Sequence, residues 1–130
     1  MQWLLKRIQV EEHDENRGYA AELLSILLQS SVDNKDALAK HDGVEILLKV
    51  LSVRMLVGYS RSGNQRTQQE YRKRNPFDAD ETEFMENLFD ALCSALNERS
   101  IKQLFLDAEG PDLMILMIKW VNFLSCLGTF

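Results

Sequence analysis

The side chains best suited to chemistry are few and scattered. His41 stands beside Asp42, and Cys93 falls on an apolar helical stripe. Neither has a second His or Cys at metal-ligand spacing, and the chain holds no CxxC or HExxH motif. Cys93 reads as a small core residue, because unpaired cysteine is commonly buried. Carboxylates are plentiful, with 20 Asp and Glu, but general acid–base work needs a cleft that shifts a pKa, and the sequence marks none. There is no Walker loop and no G-x-G-x-x-G. These residues point to no enzyme, no metal, no cofactor and no small-molecule substrate.

Two segments could act on larger partners. Arg72-Lys73-Arg74 could serve nuclear import or touch RNA, but three basic residues with only Tyr71 beside them read as the solvated lead-in to a helix. Leu113 to Phe130 is near the short limit for a membrane span, yet it contains Lys119 and Asn122. It reads as a repeat helix followed by an apolar tail, with self-association through that tail as the expected consequence.

Composition narrows the class. The chain has 130 residues, 45% hydrophobic and 27% charged, which suits one soluble globular domain. Six Gly and two Pro exclude collagen-like and linker chains. Two cysteines, Cys93 and Cys126, fit a reducing compartment, and no secretory leader opens the chain. Charge is uneven. From Arg54 to Asn75 six basic residues face one acid, Glu70, a balance of +5, so the rest of a chain of net charge −5 carries −10. An acidic body does not suit a nucleic-acid platform and does suit a basic peptide partner.

The elements that must position any site are helices. Trp3 to Ile8 reads as the end of a truncated helix. Asn16 is expected to cap a helix carrying Tyr19, Leu23, Leu24, Ile26, Leu27 and Leu28, ending near Ser30. A short helix follows from Asp33, its expected cap, to His41, with Ala37 and Leu38 inward, and Gly43 is expected to end it in the left-handed conformation. An apolar helix then runs from Val44 to about Val53, its apolar positions so widely spread that several neighbours must cover it. From Arg54 to about Asp78 the periodicity gives way to a long polar loop. Asp78 and Glu81 then resemble a capping box ahead of a helix with Phe84, Leu88, Phe89, Leu92, Cys93 and Leu96 on one face. A short helix from Ser100 to Asp107, a stop at Gly110, Pro111 at the first helical position and a last apolar helix complete the chain.

The halves repeat. Leu23 to Leu28 aligns with Leu88 to Cys93 at an offset of 65, and Ala37 to Gly43 with Leu104 to Gly110 at an offset of 67. Without the polar loop the period is about 40 residues, in the range of armadillo and HEAT units. One such unit cannot bury its apolar helices alone, so units stack and their successive helices line a long partner surface. The expected fold is all-α: an armadillo-type α-solenoid fragment of about two repeats. The division is 1–53 for the first unit, 54–78 for the basic loop or insertion, 79–119 for the second and 120–130 for the atypical tail.

On these residues the chain resembles the beta-catenin-like, spliceosome-associated family of nuclear armadillo-repeat proteins. The most specific stretch is Tyr71 to Leu96 (YRKRNPFDADETEFMENLFDALCSAL), supported by Gln2 to Ile8, Glu22 to Gln29, Asp42-Gly43, Glu109-Gly110 and Leu113-Met114. The resemblance implies a nuclear, non-enzymatic scaffold in pre-messenger RNA splicing that binds basic, nuclear-localisation-type segments of splicing factors. Arg54 to about Glu70 and the tail from Trp120 depart from the expected family pattern, and the hypothesis that follows is an incomplete or mis-spliced product with retained noncoding sequence at those two places. An RNA-contacting accessory protein using the basic loop and a tail-anchored membrane protein are the other two classes. No partner-binding residue can be assigned from sequence, because such a groove is assembled by side chains from several units.

Overall fold

Two charged side chains, not Asn16, set the start of the first long helix. The Asp14 carboxylate accepts from the Asn16 amide at 2.8 Å and pairs with Arg7, so the helix opens at Glu15. Asp14 and Asn16 are both good caps by type. The ion pair to the preceding helix decides between them.

The computed structural model describes residues 1–10, 14–62 and 79–126, with side chains described for 1–10, 14–54 and 81–119. Among the described residues seven helices follow in order: α1 (Gln2–Ile8), α2 (Glu15–Ser30), α3 (Val32–Lys40), α4 (Gly43–Ser62), α5 (Ala79–Ala95), α6 (Arg99–Asp107) and α7 (Gly110–Cys126). Among the described residues there is no strand. The all-α solenoid expectation holds.

Several boundaries move. Ser31, not Asp33, caps α3: its hydroxyl accepts from the Asn34 amide at 3.2 Å, while Asn34 Nδ2 donates to the Leu27 carbonyl at 2.9 Å and ties the turn to α2. Helix α4 does not stop near Val53 but continues to Ser62, so residues 54–62 are helical rather than loop. Arg54 explains part of the extension, since it reaches back to the Val10 carbonyl at 3.0 Å and to Glu81 at 3.5 Å. Likewise α7 runs through the start of the expected tail to Cys126. Asp78 of the expected capping box, Arg72 to Arg74 and residues 127–130 lie outside the described residues.

The glycine reading also changes. Asp42 and Glu109, not Gly43 and Gly110, take the left-handed backbone, with φ of 57° and 58°. Each glycine begins the next helix and is required by close approach: a Cβ at Gly43 would fall on the Leu38 side chain, and one at Gly110 on the Phe105 ring. Pro111 therefore sits one position into the helix, still in the first turn, where its missing N–H leaves no bond unmade.

The core shows why α4 had apolar residues nearly all round. Val44, Leu47, Leu48, Val50 and Leu51 are buried, and α4 packs against α1, α3, α5, α6 and α7. The most extensive helix pair is α2 with α5, the two equivalent helices of the repeat. Burying a Leu or Phe side chain is worth about 1.5–3 kcal/mol. Leu24, Leu28, Phe84, Leu88 and Leu92, all at most 1% exposed, thus make the α2–α5 region a large share of the fold's stabilisation.

The repeat is visible in the backbone itself. In the first unit the His41 amide donates to the Ala37 carbonyl (3.2 Å), Asp42 to Ala39 (3.4 Å) and Ile46 to Asp42 (3.1 Å). In the second, Ala108 donates to Leu104 (3.0 Å), Glu109 to Leu106 (3.1 Å) and Leu113 to Glu109 (3.3 Å). Every pair is displaced by the same 67 residues.

Candidate protein-binding site

The acid–Gly turn that recurs in both units also places acids on the helix that follows. Asp42-Gly43-Val44-Glu45 and Glu109-Gly110-Pro111-Asp112 put Glu45 and Asp112 at the same position, the third residue of α4 and of α7. Carboxylates there are favoured by the positive end of each helix dipole.

Because α4 and α7 pack side by side, these acids meet around one cleft of about 470 Å³. Its apolar wall is Leu48 from α4 and Leu113 with Leu116 from α7. Glu45, Glu109 and Asp112 line it as well, against one cation, Lys49. A wall of leucines with a net negative rim has the chemistry to hold the stem and charge of a Lys or Arg side chain, because such side chains bury methylenes while their charged heads stay near water and anions. An anionic ligand would meet repulsion at the same place.

A second polar concentration lies in the core. Arg17 of α2 is 1% exposed. Its guanidinium donates to Glu81 Oε2 at 2.7 Å and to the Val10 carbonyl at 3.3 Å, and lies 4.2 Å from the centre of the Phe84 ring. Arg54 of α4 shares Val10, Glu81 and, at 5.9 Å, Phe84. A buried charge is costly unless it is paired and hydrogen-bonded, and this cluster pairs it while fastening α2, α4 and α5 together. Because it joins three helices and the segment before α2 through one buried guanidinium, it reads as a structural junction.

The sequence-marked residues do not assemble. Cys93 is exposed on α5 rather than buried, because it continues the line Thr82, Glu86, Asp90 along the solvent side while Leu88 and Leu92 turn inward. His41 is half-buried at the end of α3. Among the described residues no group of three or more His, Cys, Asp or Glu could hold a metal ion, and no helix is long and apolar enough to cross a membrane. Sequence reasoning missed Glu45 and Asp112 as a pair, although a signal was present: the repeated acid-Gly-x-acid at an offset of 67.

Comparison with known proteins agrees with this architecture. The sequence model of a family described as "Catenin-beta-like, Arm-motif containing nuclear" matches residues 1–62 and 65–126. Those matches take in residues 54–62, 65–70 and 120–126, so these stretches follow the family pattern instead of departing from it, contrary to the expectation of a mis-spliced insertion and tail. The chain is 41% identical over 120 residues to the "Beta-catenin-like protein 1" of Rattus norvegicus and 40% identical to that of Homo sapiens. It is 36% identical over 121 residues to the "Beta-catenin-like protein 1 homolog" of Schizosaccharomyces pombe. Each match covers 92% of this chain and 18% of the relative, so the chain spans about a fifth of the length of these proteins.

Proposed function

The chain belongs to the catenin-beta-like, Arm-motif-containing nuclear family, and from that premise we propose that it is a non-enzymatic protein-interaction scaffold acting in pre-messenger RNA splicing. Its partners are splicing factors, held through basic segments of nuclear-localisation type. The family places the protein in the nucleus. Two armadillo-like units, 1–53 extended by the rest of α4 and 79–119 extended by the rest of α7, build the scaffold, with the basic stretch between them.

The observation that carries this reading is the leucine-walled cleft between α4 and α7, with Glu45, Glu109 and Asp112 around one lysine. Neighbouring packed helices lie about 8–10 Å apart, close to the reach of three residues of extended chain at about 3.3 Å each. A segment with basic residues about three apart would therefore meet the acids of α4 and of α7 in turn. Many weak, screened contacts of this kind favour partners by charge complementarity and speed their association.

Affinity purification of the tagged full chain from nuclear extract tests the proposal. Splicing factors with basic segments should co-purify with the natural chain and be strongly depleted with Glu45→Lys/Asp112→Lys. Recovery of no splicing factor would overturn the role, and undiminished recovery with the double variant would overturn the site.

A further inference from the structure

Asp42 and Gly43 are the one Asp-Gly pair in the chain, and the fold leaves both reactive groups of that pair unengaged. Asp42 is exposed and holds the left-handed backbone at φ 57°, a conformation that costs a residue with a Cβ. Among the described residues its carboxylate enters no hydrogen bond or ion pair. The Gly43 amide, the first of α4, likewise donates to no acceptor there, since the first amides of a helix have no partner within it. With no Cβ on Gly43, that residue has no side chain to screen its nitrogen from the neighbouring carboxyl.

We infer that Asp42 is a site of spontaneous isomerisation to isoaspartate in the folded chain. The Gly43 nitrogen attacks the Asp42 side-chain carboxyl carbon. The amide proton and the hydroxyl of the protonated carboxyl leave as water, closing a five-membered succinimide. Water then adds to one ring carbonyl and breaks its bond to nitrogen. Opening at the side-chain carbonyl restores aspartate, and opening at the backbone carbonyl gives isoaspartate of unchanged mass. In isoaspartate the main chain runs through the side-chain methylene, so the left-handed φ is no longer imposed and the strain is released. The Ile46 amide then loses the Asp42 carbonyl to which it donates at 3.1 Å, which loosens the first turn of α4. The second unit is a built-in control. Glu109-Gly110 repeats the turn with φ 58° and the same hydrogen bonds, but a glutamate must close a six-membered ring, which forms far more slowly at an amide. The site stands apart from whatever the cleft between α4 and α7 binds.

Incubation of the folded full chain at neutral pH in heavy-oxygen water tests the inference. Digestion in ordinary water and mass spectrometry with electron-transfer fragmentation then read each residue. Asp42 should gain one heavy oxygen and a growing isoaspartate fraction, while Glu109 gains neither. Asp42→Glu should abolish both signals and leave the circular dichroism unchanged, because the second unit already holds glutamate in this turn. Absence of isoaspartate at Asp42 from the folded chain, or its formation only in a urea-unfolded sample, would overturn the inference.

Discussion

Leu23 of α2 and Leu88 of α5 hold the same position in two copies of one pattern, yet Leu23 is 45% exposed and Leu88 is wholly buried. Nothing in either side chain accounts for the difference. Leu88 faces α2, its equivalent in the preceding unit, whereas Leu23 faces solvent. The comparison runs the other way on the opposite side, where buried Ala21 and Ser25 correspond to exposed Glu86 and Asp90. In a stacked solenoid a residue's energetic role is set by which neighbour its unit has, so equivalent positions can be core in one unit and surface in the next.

Substitution at the paired positions sharpens that contrast, and the largest effect should come from the leucines. Leu88→Ala should destabilise the chain by about 2–5 kcal/mol, as buried leucines do, whereas Leu23→Ala should change stability by less than about 0.5 kcal/mol. Urea unfolding followed by circular dichroism measures both, and equal losses would break the comparison. Next comes the junction. Glu81→Ala leaves the buried Arg17 without its 2.7 Å carboxylate and should cost about 2 kcal/mol, while Asn16→Ala at the equivalent exposed position should cost far less.

The glycines give a smaller, graded effect. Gly43→Ala and Gly110→Ala should each cost about 1–3 kcal/mol through overpacking. Gly43 should be the more sensitive, because its Cβ would also come within 2.8 Å of the Leu38 carbonyl, whereas the nearest atoms to Gly110 all belong to the movable Phe105 ring. Smallest of all, Asp42→Gly and Glu109→Gly should stabilise the chain by roughly 0.5–1 kcal/mol by relieving the positive φ. Thermal unfolding would register this as a modest rise in Tm, and a fall would contradict it.

The helical order, the two-unit repeat and the acid–Gly turns were legible in the sequence because they rest on local periodicity and on residue types with narrow conformational preferences. Ends were less legible where two residues compete. Asp14 and Asn16 are equivalent caps by type, and only the Arg7 pair separates them. Part of the extension of α4 is held by Arg54 reaching residues 44 positions back and 27 forward, which no window of neighbouring residues contains. Cys93 was misplaced because an apolar stripe reads as buried on its whole width, while Cys93 stands at its edge in line with exposed Thr82, Glu86 and Asp90. The cleft is the extreme case: each of its acids is an ordinary first-turn carboxylate in sequence, and it becomes a site only when α4 and α7 stand together.

Calorimetric titration of the full chain with a synthetic peptide carrying basic residues three apart tests the acidic cleft between α4 and α7. One peptide should bind per chain, with affinity that falls as salt rises and is lost in Glu45→Lys/Asp112→Lys but kept in Leu23→Glu. Binding that survives the double charge reversal, or an acidic peptide that binds equally well, would contradict the proposal that the cleft between α4 and α7 takes a basic segment.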